Sequence, residues 1–149
     1  MKGLATFRGL SRDDRRLLFE ALALNVRARL SLYFRSLEAL RAWTIQPGDR
    51  RRPLERVVWA GRAAARRTPG GTCLSSALAL QRLMSSNGYA SELHIGVVRE
   101  AAGFFAHAWV EYEGRVLIGE DDDRSYTRLA SWTVDPALRG TGPGRGTPN

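Results

Sequence analysis

The chain has 149 residues, of which 44% are hydrophobic and 26% charged, and its formal net charge is +8. That balance belongs to a globular chain rather than a disordered one, and the length suits one domain with a core of its own. The single cysteine excludes an internal disulfide and fits a reducing compartment. Lys2 is the only lysine, so nearly all the positive charge is arginine. The arginines are scattered beside apolar residues, which reads as solvated helix faces. They fit an anionic partner in general and a basic nucleic-acid-binding domain only as a minor alternative.

Ser11-Arg12-Asp13-Asp14 reads as a helix start, with Ser11 as the cap and the acids at the positive end. The spacing predicts a helix from about Asp13 to Trp43, with a break near Arg29 or Leu32 left open. Its apolar face carries Leu17, Leu18, Ala21, Leu22, Leu24, Leu30, Tyr33, Phe34 and Leu37. The stretch from Leu17 to Leu40 also holds Glu20, Arg27, Arg29, Arg35 and Glu38, which excludes a bilayer span. No secretory signal is visible, so the expected location is the bacterial cytoplasm. Gln46-Pro47-Gly48-Asp49 ends the helical run. A second helix is predicted from Pro53 to Arg66, with Val57, Val58, Ala60 and Ala64 on its packed side. Thr68-Pro69-Gly70-Gly71 breaks it. A third begins at Thr72 or Cys73, runs to about Ser85 and stops at Asn87-Gly88.

From there the hydrophobic period changes to two. Ser91 to Arg99 reads as a strand with Leu93, Ile95 and Val97 on one face. Phe104 to Tyr112 reads as a second strand, Glu113-Gly114 as a tight turn and Arg115 to Gly119 as a third strand. Beyond Ser131 the chain ends in a Gly-rich stretch with little to bury, expected to be disordered. The predicted class is α+β, with N-terminal helices followed by a Cys-bearing helix on an antiparallel sheet. The expected division is an N-terminal helical region over 1–48, a core over 49–131 and a tail over 132–149.

A Gly-rich loop delivers Cys73 to the first turn of an apolar helix. The free amides and dipole there favour a thiolate, the nucleophilic form. His107 lies between Ala106 and Ala108, which leaves room beside its ring. If Glu113-Gly114 is a two-residue turn, His107 faces Glu120; a three-residue turn opposes it to Asp121. Either acid would orient the imidazole in a Cys-His-acid arrangement. Asp122 and Asp123 read as the solvated remainder of that acidic loop, with Asp122 a further candidate for the orienting acid. His94 reads as an ordinary exposed or half-buried strand residue. Trp109 and Glu111 share the face of His107, Trp109 as packing. Cys73, His94, His107 and a carboxylate offer no close ligand pair, so neither a metal nor another cofactor is expected.

Gly71-Thr72-Cys73-Leu74-Ser75-Ser76-Ala77-Leu78-Ala79-Leu80, Glu92-Leu93-His94-Ile95-Gly96-Val97, His107-Ala108-Trp109-Val110-Glu111 and Gly114-Arg115-Val116-Leu117-Ile118-Gly119 together resemble the transglutaminase-like leader peptidases of lasso peptide biosynthesis. Tyr126-Thr127-Arg128-Leu129 is similar to that family's closing segment, which more often has proline where Arg128 stands. The resemblance spans about Arg50 to Leu129. It implies a papain-like core and a cysteine endopeptidase with a Cys-His-Asp triad, in which Cys73 attacks and His107 serves as base. Many relatives carry Asp at the position of Gly119, so Glu120 or Asp121 takes that role here or the orienting acid is missing. The implied substrate is the leader region of a lasso precursor peptide. The implied partners are a separate leader-binding recognition protein and the ATP-dependent lasso cyclase. The alternative expectation is a transglutaminase-fold binding module in precursor maturation that binds without cutting.

Overall fold

The fold is a computed structural model that describes residues 9–119 and 125–137. Ser11 caps the first helix, α1 (Arg12–Ser31), by accepting a hydrogen bond from the Asp14 amide at 3.0 Å. The helical run expected to reach Trp43 is two helices. It breaks after Ser31, and Ser36 caps α2 (Leu37–Thr44) through the Ala39 amide. A serine hydroxyl competes for backbone amides, so Ser36 favours a new helix start over continuation. Pro53 precedes α3 (Leu54–Arg67), and Thr72 caps α4 (Cys73–Ser86).

The strands are β1 (Ser91–Glu100), β2 (Gly103–Tyr112), β3 (Arg115–Ile118) and β4 (Thr127–Val134). They form one antiparallel sheet in the order β3-β2-β1-β4. The α+β class, with a Cys-bearing helix on an antiparallel sheet, is as the sequence predicts. The fourth strand is not anticipated by the pattern. A register shift between Ile95 and Gly96 pairs Ile95 with Ala130 and Gly96 with Arg128, which interrupts the two-residue period along β4. Trp132 and Val134 are buried, so this part of the expected tail is a core strand. Residues 138–149 lie outside the described residues.

α4 packs against α1, α3, β1 and β2. The core joins Leu17, Ala21 and Ala28 of α1 to Leu78, Leu80 and Leu83 of α4, then to Leu93, Ala108, Val110, Trp132 and Val134 on the inner sheet face. Two polar groups tie the layers together inside this core. The Trp132 indole donates to Gln81 Oε1 at 2.7 Å, and Gln81 Nε2 reaches the Ser91 carbonyl at 3.4 Å. Arg52 fastens α1 to the end of α4. It holds both oxygens of Asp13 at 3.1 Å and donates to Asn87 Oδ1 at 3.3 Å.

Candidate functional site

Cys73 is the first helical residue of α4, and a reciprocal cap fixes it there. The Ser75 amide donates to Thr72 Oγ1 at 3.1 Å, and the Thr72 amide donates to Ser75 Oγ at 2.9 Å. The preceding loop is tethered to α1, where the Arg29 guanidinium donates to the Pro69 carbonyl. Cys73 itself is exposed. No hydrogen bond or ion pair joins its Sγ to a histidine or an acid among the described residues.

The candidate base lies on the outer sheet face with one ring nitrogen bonded to backbone. Side chains alternate along β2, so Ala108 and Val110 enter the core under α4 while His107, Trp109 and Glu111 lie on the outer sheet face. His107 Nε2 lies 2.6 Å from the Gly119 carbonyl, so that nitrogen carries the proton and donates. Its ring stacks on Tyr126 at 5.2 Å and on Trp109 at 6.2 Å between centroids. Gly119 has φ +83°, and an added Cβ would stand 2.5 Å from the Ala108 carbonyl oxygen. A glycine is therefore needed at this close approach. Glu113-Gly114 is indeed a two-residue turn pairing Tyr112 with Arg115, but the register shifts by one between Val110 and Glu111. Counting from the turn to oppose His107 with Glu120 fails at that bulge. Glu120, Asp121, Asp122 and Asp123 lie outside the described residues.

These observations overturn the expectation of a cysteine endopeptidase. The nucleophile position is filled and correctly capped, yet Cys73 has no imidazole or carboxylate partner among the described residues. The only cluster of three or more His, Cys, Asp or Glu ligand atoms among the described residues excludes both Cys73 and His107.

That cluster is Glu92, His94 and Glu111, which the expectation of His94 as an ordinary strand residue does not anticipate. His94 is instead 1% exposed. Cross-strand pairing of Glu92 with Glu111 and of His94 with Trp109 brings the three together. The i, i+2 spacing of Glu92 and His94 was the available signal, and the β1–β2 register was the missing one. The Trp109 indole donates to Glu111 Oε1 at 2.8 Å, and its ring stacks on His94 at 5.2 Å. Arg128 approaches the same Glu111 oxygen at 3.7 Å.

Two other surfaces stand out. A groove lined by Glu55, Trp59, Arg62, Arg66 and Arg115 runs between α3 and β3, apart from Cys73 and His107. At the corner between α1 and α2, Val26, Leu30, Tyr33, Phe34 and Leu37 are exposed, Phe34 by 85%. No helix among the described residues is long and apolar enough to cross a membrane.

A Cys-bearing helix under an antiparallel sheet, with a histidine on the second strand, defines a transglutaminase-like core. The profile of the transglutaminase-like superfamily matches residues 18–131, and the chain belongs to that superfamily. Comparison with curated proteins and with solved structures found no match.

Proposed function

We propose that this chain is a non-catalytic transglutaminase-fold binding module that acts in the maturation of a ribosomally made lasso precursor peptide. The observation that carries the reading is Cys73 itself. It stands solvent-exposed and without an acid-base partner among the described residues, at the capped start of the helix where the superfamily fold presents a cysteine. A thiol with no base hydrogen-bonded to it lacks the activation that nucleophilic catalysis needs. The assignment to lasso maturation rests on the motif resemblance around Cys73 and His107.

Binding has surfaces to use. Val26, Leu30, Tyr33, Phe34 and Leu37 are all exposed around the α1–α2 corner, and exposed apolar patches favour protein partners. The separate leader-binding recognition protein is the partner assigned to it. The groove beside Trp59 carries Arg62, Arg66 and Arg115 against one acid, Glu55, which suits an acidic stretch of peptide.

The test is to incubate the labelled full-length precursor with this chain, with and without the recognition protein. Fluorescence anisotropy follows association and mass spectrometry follows integrity. Association that is equal for wild type and Cys73→Ala, with an unchanged precursor mass, supports the proposal. Cleavage lost in Cys73→Ala refutes it, as does failure to associate with either component.

A further inference from the structure

The outer face of the β1–β2 ladder holds a set of groups that hydrogen bonding leaves incomplete. The His94 side chain is 2% exposed, and neither ring nitrogen has a hydrogen-bond partner among the described residues. A buried imidazole ordinarily satisfies at least one nitrogen. Here Nε2 points between two carboxylates, 3.5 Å from Glu92 Oε2 and 3.6 Å from Glu111 Oε2. One ligand atom from each residue lies within 4.8 Å of the other two.

These separations are too long for good N–H···O bonds. They match the edges of a metal polyhedron instead. Ligands about 2.0–2.2 Å from a zinc ion in tetrahedral array stand roughly 3.3–3.6 Å apart. Two carboxylates and a neutral imidazole carry the charge that a divalent cation balances. The carboxylate side of such a centre is supported by an outer hydrogen bond, while His94 Nδ1 has no partner among the described residues. Glu111 Oε1 is tied down by the Trp109 indole at 2.8 Å, which leaves Oε2 turned toward His94. Outer hydrogen bonds of this kind orient carboxylate ligands. Trp109 covers one face of the His94 ring, and the Glu92 side chain, 56% exposed, lies on the open side.

We propose that Glu92 Oε2, His94 Nε2 and Glu111 Oε2 bind one zinc ion, with a fourth position open toward solvent beside Glu92. Imidazole with carboxylates is a borderline donor set, and among common divalent ions it favours zinc over magnesium or calcium. Arg128 competes for Glu111 from the rim, where its side chain is 60% exposed. The site is independent of precursor binding, and its test does not use the precursor.

The experiment uses the intact chain, stripped with a chelator, in a Cys73→Ser background so that the one thiol cannot contribute. Zinc is titrated calorimetrically, and cobalt(II) is added as a spectroscopic stand-in. The expected result is one equivalent of zinc bound and visible cobalt bands of tetrahedral intensity. Glu92→Gln and Glu111→Gln should each weaken zinc by about tenfold or more, and Arg128→Ala should tighten it. Glu92 is exposed, so its variant keeps the test valid even if substitution of His94 or Glu111 disturbs folding. Absence of saturation at roughly 100 µM zinc overturns the proposal. So does unchanged affinity in the two glutamine variants. A His94 ring whose nuclear magnetic resonance signals are indifferent to zinc overturns it as well.

Discussion

Gln81→Leu is expected to loosen the attachment of β4 to the Cys-bearing helix. Gln81 is fully buried and Trp132 is 6% exposed, and the indole N–H donates to Gln81 Oε1 at 2.7 Å. Leucine preserves much of the volume but offers no acceptor. A buried donor stripped of its partner costs about 1–3 kcal/mol. The 3.4 Å bond from Gln81 to the Ser91 carbonyl is long and adds little. Relief of the buried amide offsets part of the cost, so a net loss of about 2 kcal/mol is expected. With a urea m-value of about 2 kcal/mol/M, the midpoint should fall by roughly 1 M. Trp132→Phe removes the donor instead and leaves the glutamine oxygen unpaired. The double variant removes both, so its loss should be about 1–2 kcal/mol smaller than the sum of the singles. Urea unfolding followed by circular dichroism at 222 nm measures all four corners of the cycle. A Gln81→Leu midpoint unchanged within about 0.2 M, or strict additivity of the two losses, would refute the reasoning.

Gly96 lies opposite His107, where an added Cβ would stand 2.9 Å from Tyr126 Cβ and 3.1 Å from Trp109 Cζ3. Gly96→Val should therefore displace the ring stack and cost about 1–3 kcal/mol, read as a changed near-UV spectrum with a lower urea midpoint. Gly119→Ala combines φ +83° with a Cβ 2.5 Å from the Ala108 carbonyl oxygen. Nuclear magnetic resonance of the His107 ring nitrogens should show the loss of the Nε2 hydrogen bond, and a tautomer unchanged from wild type would count against that geometry. The Arg52 guanidinium bonded to Asp13 holds that carboxyl below its ordinary value. The resulting stabilisation is present above the unfolded carboxylate range and fades as the pH falls through the lower folded value. Arg52→Ala should thus lower the thermal midpoint at neutral pH, with a smaller deficit once Asp13 is protonated, and a deficit constant across acid pH would contradict the pairing.

Local signals were strong enough to place most of the fold. The Ser11 cap, the Pro53 start, the Thr72-Cys73 helix start and the Glu113-Gly114 turn are short-range devices, and each lies where its chemistry predicts. What failed was long-range register. β4 was invisible because a bulge breaks its alternation, although Trp132 and Val134 are core residues. The acid opposite His107 depends on a second bulge, at Val110, which shifts the count after the turn by one, from Glu120 toward Asp121, and both acids lie outside the described residues. The burial of His94 is hidden from the sequence for a related reason. Its burial comes from Trp109 stacking across the strand pair, which no property of β1 alone encodes.

The two histidines show how one sheet face assigns chemistry by position. Both lie on the outer face, linked through Trp109, whose ring stacks on His94 at 5.2 Å and on His107 at 6.2 Å. His107 is half-buried, and the Gly119 carbonyl satisfies one of its nitrogens. His94 is buried and meets only carboxylates at distances beyond a good hydrogen bond. A neutral imidazole donating to a backbone carbonyl has its one N–H satisfied. A buried one without such a bond is costly unless something completes it. The sequence draws attention to His107 because Ala106 and Ala108 flank it and His107-Ala108-Trp109-Val110-Glu111 carries the family resemblance. The energetics draw it to His94, where the unfilled requirement lies.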